Sequence, residues 1–572
     1  MILNGKKAYE LQQIKTYWEY KMSKMKIKKS GRNAKIYIGL GVLILGIVLI
    51  GMVLILKYTL KSEDKTSTAS LIEIIEAEII PTGWVGEEGE WYYVNETTYE
   101  KESGWLEVDG EKYYLDPTTK IRQSGIVEIP GEGWFYFDEE GRLQKDGIVN
   151  NHVLDKEGKI ERILLNEEDL EARNQELKPF IDEIYKKHGA ISGAVALIEG
   201  GVVTDTWEYG DAVRNSVPMT EDTKMRVASI SKVVVAMNAF RMVDEGIISL
   251  DETIGTYWGT PVYNSRYPDD PITFRSILSH TSSIAELSGY TNMEQKIKGN
   301  GIFRNVKPGD PSSYSYCNFG FCVGGVTLEK AANKTIYDIS EEYFFGPMGI
   351  DASFAAGRLD HPELLADLYY ADRSLARSRD KMAGMTGSDV PGYDGSFFPG
   401  GLCISAKDLA KVISILVNDG MYEGQRYLSE ESVATMESEY GPADYHGVQV
   451  TQCLPLKYQT NMYGEEGLYF HSGSAYGAFN LASYNPETRS GVIVLSIGAS
   501  GACDEYGAYA VCGDISELLY QETNKLMYEN VVVSQKAEES ENTDVESSDV
   551  KISTDETDVT ITEDSNIEET NN

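Results

Sequence analysis

Apolar and polar residues follow two periods along this chain, and these periods predict a mixture of helices and strands. Apolar residues recur at helical spacing over 224–250, and Gly246 is placed to end that helix. Helical patterns also cover 166–188, with Asn166 as the N-cap, and 514–527. Alternating patterns predict two antiparallel hairpins, 191–199 with 202–209 and 478–484 with 490–497. Strands at both ends with helices between them predict one antiparallel sheet that joins both ends to a helical region.

An uncharged, mostly aliphatic run begins after Lys35 and ends before Lys57, and it is long enough to cross a bilayer as a helix. We therefore predict a transmembrane helix over 36–57 and a polar stalk over 58–80. The basic tail 1–35 predicts a cytoplasmic N-terminus, with everything after this single span outside the cell. A signal peptide is the competing interpretation, but the run exceeds an ordinary signal core and no small-residue cleavage site follows it.

A repeat follows the stalk over 81–162. Gly-Trp or Gly-Ile pairs begin at positions 83, 104, 125 and 147, and aromatic clusters follow the first three in matching phase. This self-similarity predicts a solenoid of β-hairpins. The form GW-x-x-x-x-G-x-WYY resembles the choline-binding and glucan-binding repeats of Gram-positive surface proteins, which implies cages that bind choline or stack on sugars. The alternative is that the aromatic rings only form hairpin cores. The candidate ligand residues are Trp84, Trp91, Tyr92, Trp105, Tyr113 and Trp134.

Charge and composition narrow the possible partners. The net charge is −38, and because the tail 1–35 contributes +8, the remainder carries −46. Such an acidic chain argues against nucleic acid as a partner. The segment 535–572 is rich in Ser, Thr, Asn and acidic residues, which predicts a disordered acidic tail. The six cysteines show no metal-ligand spacing; Cys503 and Cys512 could close a short disulfide loop, or all six could be small buried side chains.

The candidate chemistry begins with a Ser-x-x-Lys tetrad at Ser229, which opens the apolar helix. On a helix, Ser229 and Lys232 share a face, and a buried lysine with a lowered pKa can take the proton of a nucleophilic serine. The alternative is that the tetrad has no catalytic role and is a serine near a helix start followed by a solvated lysine. Four more serines begin the same tetrad outside any apolar helical run: Ser23, Ser62, Ser378 and Ser548.

Downstream segments complete a family pattern. They are Ile272–Ser282, Pro308-Gly309, Tyr316-Cys317-Asn318 and His471-Ser472-Gly473. In this order they resemble the class C β-lactamase-like serine hydrolases, a group of DD-peptidases, penicillin-binding proteins and esterases. The resemblance covers 166–530 and implies an α/β (α+β) β-lactamase/transpeptidase-like domain that needs no metal or cofactor.

The resemblance also implies roles for individual residues. Tyr316, with its pKa lowered by Lys232, would help to deprotonate Ser229 and would later protonate the leaving group. Asn318 would orient the substrate amide and the lysine. This sequence departs from the family pattern at Ser283, where a glycine is expected, and at Cys317. We interpret His280 as structural.

The His471-Ser472-Gly473 segment would bind the substrate backbone. The resemblance implies that the amides of Ser229 and Ser474 hold the oxyanion. Histidine at the first position, where many β-lactamases have lysine, favours the DD-peptidase and esterase branches. We therefore predict a membrane-anchored extracellular serine hydrolase that acts through an acyl-enzyme on D-alanyl bonds of peptidoglycan. The alternatives are a teichoic-acid D-alanyl esterase, a β-lactamase, and a wall-binding or penicillin-sensing protein without turnover.

Overall fold

The structure, a computed structural model, describes residues 81–87 and 90–525. The predicted tail 1–35, span 36–57, stalk 58–80 and tail 535–572 lie outside the described residues. No helix within the described ranges has the length and apolar character needed to span a membrane. The described residues fall into two compact units, one with 81–104 and 115–122 and the other with 105–114 and 123–525.

The repeat region forms antiparallel hairpins, as the sequence predicts. The first three hairpins each begin at a glycine with positive φ, at Gly83, Gly104 and Gly125, a conformation that other residues adopt only with strain. Buried aromatic and aliphatic side chains form a small core around Phe137 within 105–163. The nine strands are β1 (Gly83–Glu87), β2 (Glu90–Val94), β3 (Gly104–Val108), β4 (Glu111–Leu115), β5 (Gly125–Ile129), β6 (Gly133–Phe137), β7 (Gly147–Val149), β8 (His152–Leu154) and β9 (Ile160–Ile163).

A nine-stranded antiparallel sheet organises the larger unit, in the order β12-β11-β10-β24-β23-β22-β21-β20-β19. Its strands come from both ends of the domain, so the predicted joining sheet is confirmed. Three two-stranded pairs, β13-β16, β14-β15 and β17-β18, lie apart from it. The strands are β10 (Ser192–Glu199), β11 (Val202–Val213), β12 (Val217–Pro218), β13 (Met225–Arg226), β14 (Leu368–Tyr369), β15 (Leu375–Arg377), β16 (Cys403–Ile404), β17 (Met421–Tyr422), β18 (Gln425–Arg426), β19 (Gly441–Tyr445), β20 (Val448–Gln452), β21 (Lys457–Met462), β22 (Glu465–Ala475), β23 (Ala478–Asn485) and β24 (Ser490–Ile497).

Two hydrophobic cores cover the two faces of this sheet. One face packs against the first helix and the last, with Leu177, Tyr185 and Leu519 in the core. The other face packs against the helical region, which includes Phe240 and Leu409. The helices are α1 (Glu167–Lys187), α2 (Ser231–Asp244), α3 (Gly255–Trp258), α4 (Phe274–Leu278), α5 (Met293–Ile297), α6 (Asn318–Ala332), α7 (Ile336–Ser340), α8 (Arg379–Ala383), α9 (Ala406–Val417), α10 (Glu430–Glu437) and α11, which is described over 510–525.

Local signals in the sequence account for several boundaries. The Asn166 side chain accepts a hydrogen bond from the backbone N of Asp169 at 2.9 Å, which confirms it as the N-cap of α1. Helix α2 ends just before Gly246, which has φ +71°. All six cysteines are free thiols, and only Cys503 among them is exposed, so the possible Cys503–Cys512 disulfide is absent.

Candidate active site

Ser229 lies on a short 3-10 turn immediately before α2, rather than within that helix. The residue before it, Ala228, has φ +50°, a left-handed conformation that costs energy in any residue except glycine. Ser231 stabilises the turn: its Oγ donates to the Ala228 carbonyl at 2.6 Å and accepts from the Leu402 amide at 3.0 Å. The turn therefore holds the Ser229 hydroxyl in a fixed position at the start of a helix that is buried on nearly all sides.

Lys232 lies beside this hydroxyl in a fully buried position. Its Nζ donates to Ser229 Oγ at 3.1 Å and to the Pro399 carbonyl at 2.6 Å. Burial lowers the pKa of Lys232 to about 7, because an ammonium loses its hydration in the protein interior. Near neutral pH a large fraction of this lysine is thus an uncharged amine, which can accept the serine proton.

Tyr316 faces the same two residues. Its ring is 37% exposed, and the Nζ of Lys232 lies 4.9 Å from the ring centroid. Desolvation raises the pKa of the Tyr316 hydroxyl above its ordinary value, although an interaction with Ser229 lowers it in part. This direction is opposite to the sequence expectation, because the lost hydration of a phenolate outweighs the help from its neighbours. Tyr316 is therefore a neutral phenol and a proton donor at neutral pH.

Asn318 begins α6, two residues after Tyr316. Its backbone N donates to Glu286 Oε2 at 2.6 Å, and Cys317 caps the helix by accepting from the Gly320 amide at 3.2 Å. Among the described residues there is no hydrogen bond between the Asn318 side chain and Lys232. The structure thus brings Asn318 to the site, whereas its contact with the lysine stays a prediction.

Strand β22 carries the predicted substrate-binding segment inside the sheet, between β21 and β23. Gly473 lies against the serine turn, where a Cβ would be 2.1 Å from the Val227 carbonyl and 3.1 Å from the Ser229 amide N. Only glycine allows this approach. Ser474 follows in an exposed position. Asn480 on β23 stabilises the segment just before the turn, since its Nδ2 donates to the Arg226 carbonyl at 3.1 Å.

His471 and Ser472 are buried on β22. Nδ1 of His471 lies 2.7 Å from the Ser472 carbonyl and donates to it, while Nε2 has no partner among the described residues. Burial, together with the positive charges of Lys457 and Lys232, lowers the pKa of His471 well below its usual range. His471 is therefore a neutral imidazole at physiological pH.

The sequence interpretation missed two charged residues of this site. Lys457, on β21, is buried within 5.5 Å of the Tyr316 ring centroid. The carboxylate of Glu286 accepts hydrogen bonds from Asn318 N and Phe319 N at the start of α6. Glu286 shows no sequence signal, whereas the apolar stretch that precedes Lys457 could have indicated that this lysine is buried.

The predicted ligand residues of the repeats mostly contact protein groups. Within 81–104 and 115–122, the Arg122 guanidinium lies 5.4 Å from the Trp84 ring centroid and 5.6 Å from that of Trp91. The Lys101 ammonium lies over Tyr92 at 3.3 Å. The faces that would bind a ligand cation therefore contact cations of the chain itself.

The other three candidates belong to the second unit. Trp105 packs edge-on against Tyr114 and Phe135, and its Nε1 donates to Glu132 at 3.0 Å. Tyr113 and Trp134 lie half-buried on β4 and β6. Trp105 is 37% exposed and packs edge-on beside the small core. Ligand binding by these three residues stays a prediction.

We expect Arg122→Ser to raise the affinity of the repeats for choline about two- to fivefold, because the mutation removes a competing cation from beside two indole rings. Tryptophan fluorescence of the full chain, titrated with choline, measures this change. Arg142→Ser is the matched control, since Arg142 pairs with Asp138 at 2.7 Å. Equal affinities in the wild type and both variants would exclude Trp84 and Trp91 as a latent choline cage.

Known proteins show similarity to both regions. The β-lactamase family model matches residues 177–511, and a putative cell wall binding repeat matches 103–118. An uncharacterized protein of Mycobacterium tuberculosis is 27% identical over 282 residues, which cover 44% of this chain and 68% of that protein.

Two further relatives have enzyme names. A D-aminopeptidase of Brucella anthropi is 24% identical over 250 residues, 41% of this chain and 44% of that protein. The D-alanyl-D-alanine-carboxypeptidase/endopeptidase AmpH of Escherichia coli is 23% identical over 224 residues, 37% of this chain and 56% of that protein. The family model spans more than half of the chain and includes the serine turn, Lys232, Tyr316 and β22. The chain is a serine hydrolase that belongs to the β-lactamase family.

Proposed function

We propose that this protein removes D-alanyl groups from the bacterial cell wall through an acyl-enzyme on Ser229. One observation carries the proposal: Ser229 Oγ lies 3.1 Å from the Nζ of a buried lysine whose pKa is lowered to about 7. The match to a cell wall binding repeat supports a wall substrate. The similarity to a carboxypeptidase that cleaves D-alanyl-D-alanine supports the D-alanyl bond.

In the proposed first step, the neutral amine of Lys232 takes the Ser229 hydroxyl proton while Oγ bonds to the acyl carbon. The oxygen of the carbonyl becomes an oxyanion that the amides of Ser229 and Ser474 stabilise. Gly473 allows β22 to lie close to the serine turn, since a side chain there would collide with the Val227 carbonyl.

In the second step the bond between the acyl carbon and the leaving atom breaks. Tyr316, a neutral phenol, donates its proton to the leaving atom and regains one from the Lys232 ammonium. Water then attacks the acyl carbon along the reverse proton path and releases D-alanine, or an acyl group that ends in D-alanine. Only residues of the chain move protons in these steps.

We further propose that the catalytic unit acts outside the cell, close to the membrane. The predicted span 36–57, uncharged over 36–56, would anchor the chain, and the hairpins of 81–162 would contact the wall. Both features restrict the enzyme to polymers near its membrane, which raises the local concentration of those polymers.

The experiment is to incubate the full chain, purified in detergent, with pentapeptide muropeptides and with D-alanylated teichoic acid. Mass spectrometry then measures the D-alanine released by the wild type and by Ser229→Ala. We expect release from the muropeptides, dependent on Ser229. Release only from teichoic acid would identify an esterase. Labelling of Ser229 by penicillin without any release would contradict the proposal and indicate a sensor.

A further inference from the structure

Lys457 is a buried cation at the first position of β21, where it pairs with Phe470 of β22. Its side chain is 3% exposed, and its Nζ lies 5.5 Å from the ring centroids of both Tyr316 and Tyr445. Within the described ranges, no group accepts a hydrogen bond from this Nζ and no carboxylate forms an ion pair with it. A buried charge without a counter-ion is costly, and two aromatic rings offset only part of that cost.

The groups around Lys457 do not supply the missing negative charge. Lys232 is another basic group and supplies no negative charge. Burial, together with repulsion from protonated Lys232, lowers the pKa of Lys457 to about 8. Tyr316 stays a neutral phenol because its pKa is raised, and His471 is a neutral imidazole. The Glu286 carboxylate is already bound by two backbone amides of α6. Among the described residues, Lys457 thus has no anionic partner at this site.

The position of Lys457 relative to Tyr316 indicates where an anion would come from. In the proposed mechanism Tyr316 protonates the leaving atom, so the leaving half of the substrate lies against this ring. Both lysines lie near this ring, with Lys232 Nζ 4.9 Å and Lys457 Nζ 5.5 Å from its centroid. Lys232 already donates to Ser229 and to the Pro399 carbonyl, whereas Lys457 has no acceptor among the described residues. A negative group close to the scissile bond on the leaving half would therefore reach Lys457.

We propose that Lys457 binds the anionic group of the leaving half of the substrate. This group is the carboxylate of a terminal D-alanine, or the phosphate beside the ester oxygen of a D-alanylated polyol phosphate. The lysine ammonium acts as a point charge, so it can pair with either a carboxylate or a phosphate. The inference rests on the proposed function. It makes Lys457 the residue that gives the enzyme its preference for anionic over neutral leaving groups.

The test uses two matched pairs of substrates with the full chain and its Lys457→Met variant. One pair is a peptide that ends in D-Ala-D-Ala, as the free acid and as the C-terminal amide. The other is D-alanyl glycerol phosphate and D-alanyl glycerol. We expect Lys457→Met to lower kcat/KM for the anionic member by a factor roughly 10 to 100 larger than for the neutral member. The pair that shows this difference identifies carboxylate or phosphate as the natural group.

The matched control is Lys407→Met, which removes a lysine from a surface ion pair with Glu221 and should keep the wild-type preference. Equal losses on the anionic and the neutral member of both pairs would overturn the proposal, since Lys457 would then act on Tyr316 rather than on substrate. An unchanged preference in Lys457→Met would also overturn it. Thermal unfolding checks that the variant is folded; its Tm should not fall, because the mutation removes an unpaired buried charge.

A second measurement separates failure of this inference from failure of the proposed function. Two esters of N-acyl-D-alanine, with 3-hydroxybenzoate or 3-hydroxybenzamide as leaving group, are incubated with the protein, and intact mass reports acylation of Ser229. Faster acylation by the benzoate ester in the wild type, lost in Lys457→Met, supports the inference. Equal acylation rates with both esters would overturn the inference on Lys457 and leave the serine mechanism in place. No acylation by either ester overturns the serine mechanism and this inference together.

Discussion

Ser229→Ala is expected to lower D-alanine release by about 100,000-fold or more, to a level near the uncatalysed rate. Alanine removes the only atom that bonds to the acyl carbon, and neither Lys232 nor Tyr316 can replace it as a nucleophile. Intact mass should show no acyl adduct on the variant after incubation with an activated ester. The fold should persist, since the variant loses only the contacts of one hydroxyl, with Lys232 Nζ at 3.1 Å and with the Tyr316 hydroxyl.

The chain provides a matched control in a second Ser-x-x-Lys tetrad. Ser378 caps α8 by accepting from the Lys381 amide at 3.2 Å and has no contact with the site residues described above. Ser378→Ala should cost about 1 kcal/mol of stability and leave the rate unchanged. Comparable losses in both variants would mean that Ser229 is structural, and the proposed mechanism would be wrong.

Lys232→Met should lower kcat/KM about 1,000- to 10,000-fold, because Ser229 loses the base that accepts its proton. The pH profile provides the specific test. Only neutral Lys232 accepts a proton, and its pKa is about 7. With a substrate whose leaving half is neutral, so that the charge of Lys457 does not contribute, the wild-type kcat/KM should therefore rise with pH up to about 7 and then level off. Below that pH the rate should fall about tenfold per pH unit. Residual activity of the variant should lack this acid limb.

Lys232→Met should raise the stability of the protein although it lowers the activity. The pKa of Lys232 is lower in the folded protein than in the unfolded chain, so stability is lost as pH falls from about 10.5 to about 7. Methionine removes this penalty, which is at most about 5 kcal/mol. The net gain is smaller, because the Pro399 carbonyl loses its donor. A variant that is less stable at pH 7 in chemical denaturation, or that retains the acid limb, would show that Lys232 is not a buried base.

Much of the fold follows from local pattern. The hairpin at Gly200-Gly201, the N-cap at Asn166 and the sheet that joins both ends of the domain are all confirmed. They were predictable because turn residues, caps and alternation act over a few neighbouring residues. Ser283 illustrates a departure that the fold absorbs: it has φ +62° at the position where the family pattern has glycine, and its Oγ accepts from Asn264 Nδ2 at 3.1 Å.

The electrostatics of the site did not follow from local pattern. The sequence interpretation expected Lys232 to lower the pKa of Tyr316, whereas desolvation raises it. Lys457 escaped notice because a single lysine in a strand normally reaches solvent. Both errors have the same origin: the charge state of a group depends on its burial, which residues distant in sequence decide together.

By itself, the sequence determined the order of the elements, the repeat, the Ser229–Lys232 pair and the relationship to serine hydrolases. These depend on spacing along the chain, which sequence records directly. Only the tertiary structure decided that Lys232 is a buried base, that Tyr316 is a neutral acid and that Lys457 joins them from another strand. Burial and the approach of distant strands set these properties, because the cost of a charge depends on all the atoms that replace its water.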